Sequence, residues 1–180
     1  AAGIPGTLGG AIYGNAGAHG SDMRANLRVA EILHPDGMIS AANPQDLGLE
    51  YRFSSLKRNA QPAVILAATL DLAHSQPELV EAKMEEFRAF RRRTQPPGAS
   101  MGSMFKNPPG NYAGRLIDAV GLKGARRGDA QISELHANFF VNLGQAQAGD
   151  VYDLIELARE RVLAETGIKL ELEIQLLGAW

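Results

Sequence analysis

Apolar and polar positions change period several times along the chain, and each change predicts an element. Ile168, Leu170, Leu172, Ile174 and Leu176 alternate with Lys169, Glu171, Glu173 and Gln175, the pattern of a half-buried strand. Just upstream, Leu154, Ile155, Ala158 and Val162 recur at helical spacing. Asp150 is the expected cap of that helix, which runs to Thr166 and ends at Gly167. Pro77 to Arg93 reads as a second long helix. Pro77 suits a first turn, Leu79, Val80, Met84, Phe87 and Phe90 form an apolar stripe, and Arg91-Arg92-Arg93 complement the C-terminal end of the dipole. Ala113 to Val120 is a short helix closed by Gly121. Strands are expected over Leu27 to His34, from Met38-Ile39 after the Pro35-Asp36-Gly37 turn, over Ala63 to Leu72 and over Ala137 to Leu143. Gly128 to Leu135 reads as turn-rich. Together these elements make an α+β chain.

Composition narrows the field. The 180 residues suffice for one compact domain or two small ones, and 45% hydrophobic residues can build a core. A net charge of −2 gives no general case for nucleic-acid binding. The absence of cysteine excludes disulfides and thiolate metal sites. His19, His34, His74 and His136 are too widely spaced for a zinc pattern, so no metal is expected. No apolar run is long enough to span a bilayer, and the N-terminus lacks the basic-then-apolar order of a signal peptide. The chain starts without Met inside a glycine-rich motif and is expected to be a fragment.

Two stretches concentrate candidate chemistry. Gly102-Ser103-Met104-Phe105-Lys106-Asn107-Pro108-Pro109-Gly110 combines a hydroxyl, an ammonium group and an amide with backbone breakers. It predicts a shaped loop, readable on these residues alone as an active-site element or as a polar turn. Gly3 to Gly20 holds seven glycines, whose backbone amides can approach a pyrophosphate; close packing on a sheet explains them equally well. A helical turn near Leu8 could aim its N-terminus at an anion. Arg52, between Tyr51 and Phe53, can hold a phosphate or carboxylate in a fixed plane, or simply snorkel at the surface.

In order along the chain, several stretches resemble the MurB family, the UDP-N-acetylenolpyruvoylglucosamine reductases of peptidoglycan precursor synthesis. They are Gly3-Ile-Pro-Gly-Thr-Leu-Gly-Gly-Ala with Asn15-Ala-Gly-Ala, Tyr51-Arg-Phe-Ser-Ser-Leu-Lys, and Gly102-Ser-Met-Phe-Lys-Asn-Pro. Ala113-Gly-Arg-Leu-Ile-Asp with Gly121-Leu-Lys-Gly, Ile132-Ser133 through His136-Ala-Asn-Phe, and Leu170-Glu-Leu-Glu-Ile complete the set. The resemblance implies an FAD-containing, NADPH-dependent oxidoreductase that reduces an enolpyruvyl ether on a UDP-sugar. It implies Ser103 as proton donor, with Arg52 and Glu173 stabilising the enolate. A carboxylate beside an enolate repels it, so Glu173 should be protonated or act through a hydrogen bond. Glu171, on the same strand face, is the competing assignment. Ile4, Pro5, Gly6, Thr7, Gly9, Gly10 and Asn15 are implied at the cofactor, and Tyr51, Arg52, Lys106 and Asn107 at the substrate.

The implied architecture is a partial flavin-binding domain, a mixed sheet with helices, plus a small α+β substrate-binding domain. Residues 1–74 would be the C-terminal half of the flavin domain and 75–166 the substrate domain, with 167–180 a strand returning to the flavin domain. A cytoplasmic monomer is expected, with neither nucleic acid nor membrane as partner. The family's N-terminal lobe, which contributes to the FAD site, has no counterpart in the sequence. His19 stands where the family has Tyr, and the short run from Asn107 to Ala113 resembles the subtype without an inserted closing loop. The chain is therefore expected to hold FAD weakly. The alternative reading is a non-catalytic nucleotide or sugar-phosphate binding module.

Overall fold

The computed structural model describes residues 3–57 and 63–178. The chain divides into two compact units between Arg88 and Ala89. The first contains α1 (Leu8–Tyr13), the short strands β1 (Gly17–Ala18) and β2 (Ser21–Asp22), and β3 (Leu27–Leu33), β4 (Ile39–Ala42) and β5 (Val64–Leu70). The second contains β6 (Ala99–Ser103), α3 (Ala113–Ala119), β7 (Arg126–Arg127), β8 (Ala130–Ile132), β9 (Phe139–Asn142) and α4 (Ala148–Thr166). Helix α2 (Pro77–Thr94) carries the division between them. Mixed helices and antiparallel sheets make this an α+β structure, as the sequence pattern predicts.

The first unit is built on an antiparallel sheet of order β4-β3-β5. Ala30 and Ile32 are buried on either side of exposed Glu31, so one face of β3 is buried and the other wet; Arg28 lies at a register shift and is exposed. Leu27, Ile32, Leu47, Leu49 and Leu56 join Ile12 of α1 in the core. Gly9 brings α1 close to the sheet: a Cβ there would stand 3.5 Å from the Ile65 carbonyl oxygen. Helix α2 forms where expected, yet none of its residues is buried. Leu79 and Phe90 of the expected stripe are exposed, while Phe87 stacks on His19 at 3.9 Å. Of the expected stripe, Met84 and Phe87 are partly buried.

The second unit is a four-stranded antiparallel sheet, order β6-β9-β8-β7, with α3 and α4 over its core. Leu154, Ile155, Ala158 and Val162 are fully buried, as their spacing predicts. The cap of α4 is Gln147 rather than Asp150. Asp150 is the third helical residue, and its carboxylate accepts the Gln147 N–H at 2.9 Å, closing a capping box. Strands also arise where turns were expected. β6 lies in the Gly/Ser-rich approach to the loop, and β8 lies within the turn-rich stretch, with β7 just before it. β6 bends between Ser100 and Ser103, where Gly102 adopts φ +83°.

The alternation over 168–176 yields no regular strand. A single bridge joins Leu172 to Phe105. Leu170 is buried in the second unit's core, with Ile168, Leu172 and Ile174 packed against it. The segment expected as a strand returning to the flavin domain is thus held, through its apolar residues, beside residues 104–106. A ladder needs a long straight partner, and the bend at Gly102 ends the one on offer.

Candidate functional site

In the first unit, the glycine-rich segment forms one wall of a cavity of about 630 Å³. That volume lies within the usual range of a ligand cleft, roughly 300–1,000 Å³. Ile4, Pro5, Gly6, Thr7 and Gly10 line it, joined by His19 and Phe87. Thr7 caps α1 with its hydroxyl, accepting the Gly10 N–H at 3.0 Å, so that amide serves the helix. Gly9 and Asn15 are not on the wall. Gly9 packs on Ile65, as above, and Asn15 is buried as a brace. Its Nδ2 donates to Asp22 Oδ2 at 3.1 Å and to the Glu50 carbonyl at 2.7 Å, and its Oδ1 accepts the Arg24 N–H at 3.0 Å. The wall is glycine for steric reasons too. A Cβ on Gly17 would lie 2.9 Å from both Asp22 Cβ and the Ser21 carbonyl, and 3.3 Å from Arg52 Nη1.

The bond from Asn15 to Glu50 also anchors the turn that carries Tyr51 and Arg52. Glu50 and Phe53 bridge to each other, and Arg52 adopts the left-handed φ of +55°. A non-glycine residue there is strained, and the surrounding bonds must hold it. Lys57 Nζ donates to the Arg52 carbonyl at 3.0 Å, and Ser54 Oγ donates to the Tyr13 carbonyl at 2.6 Å. The Arg52 guanidinium lies 5.4 Å from the centre of the half-exposed Tyr51 ring. The structure therefore brings Tyr51 and Arg52 to the glycine segment, although 35 residues separate Asn15 from Glu50 in sequence.

In the second unit, the segment 104–106 pairs with the segment that carries Glu171 and Glu173. Lys106 N–H donates to the Glu171 carbonyl at 2.9 Å, and Glu173 N–H donates to the Met104 carbonyl at 2.9 Å. Lys106 Nζ stands 3.4 Å from Glu171 Oε2, a pair of small energetic weight because the carboxylate is exposed. Glu171 thus has an ionic partner in Lys106, while Glu173 lies opposite Met104, next to Ser103. Asn107 plays a structural part. Its Oδ1 accepts the Ala113 N–H at 3.0 Å and so caps α3 from outside the helix. Ser103 pairs with Phe139 across the sheet, so the two side chains share a face. The second unit also holds a cavity of about 420 Å³ among residues such as Met101, Phe140 and Tyr152. No charged side chain lines it, and neither Ser103 nor Glu173 does, so it offers little to an anionic sugar nucleotide.

Two residues at this loop, Asn138 and His136, have roles that the sequence does not announce. Asn138 is buried against Phe105. His136 packs on Phe139 edge-to-face with ring centres 4.8 Å apart, and its Nδ1 accepts the Asn138 N–H at 3.3 Å. Their signals in the sequence are polarity beside an apolar stretch and membership of the His136-Ala-Asn-Phe motif, neither of which gives a role. Burial lowers the His136 pKa; its own backbone hydrogen bond opposes the shift, and the charge of Lys123 adds to it. The unfolded chain therefore takes up this proton near the ordinary value of 6.5 and the folded chain only at lower pH. Stability should fall as pH drops below that value, until the folded pKa is passed. Denaturation midpoints across this range should slope less in His136→Gln; an identical slope would assign the acid sensitivity to other groups.

The family described as UDP-N-acetylenolpyruvoylglucosamine reductase, C-terminal domain, matches residues 94–177. A Chloroflexus aggregans protein called UDP-N-acetylenolpyruvoylglucosamine reductase is 46% identical across 98% of this chain, which spans 61% of that protein. A Bacillus licheniformis protein of the same name is 41% identical, with 99% of this chain and 97% of that sequence covered. The crystal structure of the Thermus caldophilus enzyme superposes with a TM-score of 0.81 at 43% identity, over 96% of this chain and 61% of that one. The chain thus spans about three-fifths of several relatives it matches.

Proposed function

Because this chain belongs to the UDP-N-acetylenolpyruvoylglucosamine reductase family, we propose that it carries the substrate half and part of the cofactor half of an FAD- and NADPH-dependent reductase. The substrate is the enolpyruvyl ether of a UDP-sugar, in peptidoglycan precursor synthesis, and the enzyme acts as a cytoplasmic monomer. Among the described residues no helix is long and apolar enough to cross a membrane. We assign residues 1–74 to the flavin-binding domain and 75–166 to the substrate domain.

The glycine wall fits part of a dinucleotide. Its backbone lines the cavity at Gly6, Gly10 and Gly17 and can be approached closely. Ile4 to Thr7 and Gly10 would hold the phosphate-bearing portion. When bound, the flavin supplies hydride drawn from NADPH. The remaining chemistry falls to this chain. Arg52 offers a planar, permanently charged fork to a carboxylate or phosphate. Tyr51 and Lys106 orient the substrate, and Asn107, expected from the sequence as a substrate contact, holds its loop by capping α3. Addition of hydride to the terminal alkene carbon leaves an enolate at the carbon beside the carboxylate. Ser103 donates its hydroxyl proton to that carbon and regains a proton from solvent. Serine is a weak acid, so the step needs a strongly basic partner in contact, which an enolate is. Glu173 stabilises the enolate, either protonated or through a hydrogen bond.

The observation that supports this reading is the hydrogen bond from Glu173 N–H to the carbonyl of Met104, the residue after Ser103. The test uses the full-length protein. It should purify yellow with flavin and oxidise NADPH only when the enolpyruvyl UDP-sugar is added. Oxidation at the same rate without that sugar nucleotide would defeat the assignment.

A further inference from the structure

We propose that Asn138 is a positioning residue for Ser103 and Glu173: its buried side-chain amide replaces a neighbouring strand's peptide group and fixes the Phe105 backbone between them. This role deepens the reductase reading above and rests on it.

From the Met104 N–H to the Lys106 N–H, each backbone group has a partner. Met104 N–H donates to the Asn138 carbonyl at 2.8 Å, and the Met104 carbonyl accepts from Glu173 N–H. Lys106 N–H goes to the Glu171 carbonyl. Both groups of Phe105 go to one side chain. Its N–H donates to Asn138 Oδ1 at 2.9 Å, and its carbonyl accepts Asn138 Nδ2 at 2.8 Å.

A peptide group would normally fill this position. β9 cannot supply one, because its backbone turns away just before Phe139. There Phe139 N–H donates to the His136 carbonyl, and Asn138 N–H to the His136 ring. Asn138 is only 3% exposed and Phe105 is fully buried, so water cannot substitute. A primary amide is the side chain that donates and accepts in one plane, as a peptide does. Ser103 immediately precedes this segment, and Glu173 hangs on Met104. Loosening Phe105 would shift both reacting groups, and misplacement costs rate more than binding.

The full-length enzyme carrying Asn138→Asp tests the idea. An ionised carboxylate still accepts from Phe105 N–H but presents a second acceptor to its carbonyl. At pH 8, kcat should fall about tenfold, with KM for the sugar nucleotide nearly unchanged and flavin reduction by NADPH unaffected. Protonating the carboxyl restores a donor, so the ratio of variant to parent kcat should rise as pH falls. Asn138→Ala should lose rate without that recovery. A ratio independent of pH, or an equal loss in both half-reactions, overturns the proposal. Should Asn138→Asp not fold, amide exchange over residues 103–107 of the unaltered enzyme decides: slow exchange at Phe105 supports the clamp, and fast exchange overturns it. If the unaltered enzyme shows no turnover dependent on the enolpyruvyl substrate, the reductase reading fails, and the exchange experiment still judges the clamp.

Discussion

Replacing Ser103 by Ala in the full-length enzyme should slow the substrate half-reaction at least ~10²-fold, the usual minimum for a lost general acid. The flavin should still be reduced by NADPH at a near-normal rate, because no proton from Ser103 is needed there. Substrate affinity should change little, since one hydroxyl contributes only about 0.5–1.5 kcal/mol net as a hydrogen bond. Ser103→Cys should recover part of the rate, because a thiol also carries a proton. Stopped-flow absorbance of the flavin separates the two halves. The location of Ser103 makes the experiment discriminating. It sits at the end of β6, paired with Phe139, where Gly102 bends the strand. If Ser103→Ala slows both halves alike, the hydroxyl serves the bend rather than the chemistry.

The largest loss of stability is expected from Phe105→Ala, about 3–5 kcal/mol, the usual cost of removing a buried aromatic ring. Phe105 is fully buried and packs edge-to-face on Phe140 with ring centres 6.2 Å apart. Its backbone also carries the bridge to Leu172 and both bonds to Asn138. The cavity would therefore open directly beneath the Ser103 loop. Denaturation followed by far-ultraviolet circular dichroism should show an early transition for the second unit. Peptides spanning 99–107 and 170–176 should exchange amide hydrogens faster than in the parent. A transition matching the parent would mean that the loop is not anchored in the core.

The elements legible in the sequence are those whose own pattern suffices. α4 has a fully buried stripe and a glycine stop at Gly167, which takes φ +71°. β3 alternates within one strand. The start of α4 is less legible, because Gln147 and Asp150 share one capping box and Asp is by type the stronger cap. β6 escapes a local reading because Ala99, Ser100 and Met101 carry no strand pattern; pairing with Val141 and Asn142 makes them a strand. Over 168–176 the pattern promises more than the fold delivers. The alternation is real, but an alternating face needs a partner ladder, and among the described residues the segment has a single bridge, to Phe105.

The sequence by itself determined which residues could do chemistry: a serine and lysine in a rigid loop, an arginine between aromatics, carboxylates on one strand face, and glycines where backbone must come close. These follow from side-chain type and local backbone preference, which are properties of neighbours in sequence. Tertiary structure alone decided which of them meet and which are occupied. Glu173 rather than Glu171 hangs on Met104, because the register of the Phe105–Leu172 bridge sets it there. Glu171 is drawn to Lys106, Asn107 caps α3, and Asn15 braces the turn of Arg52 instead of facing the cavity. Asn138 became the clamp on Phe105 because β9 begins only at the next residue, Phe139. Register and hydrogen-bond satisfaction are settled between segments far apart in the chain, so no local pattern encodes them.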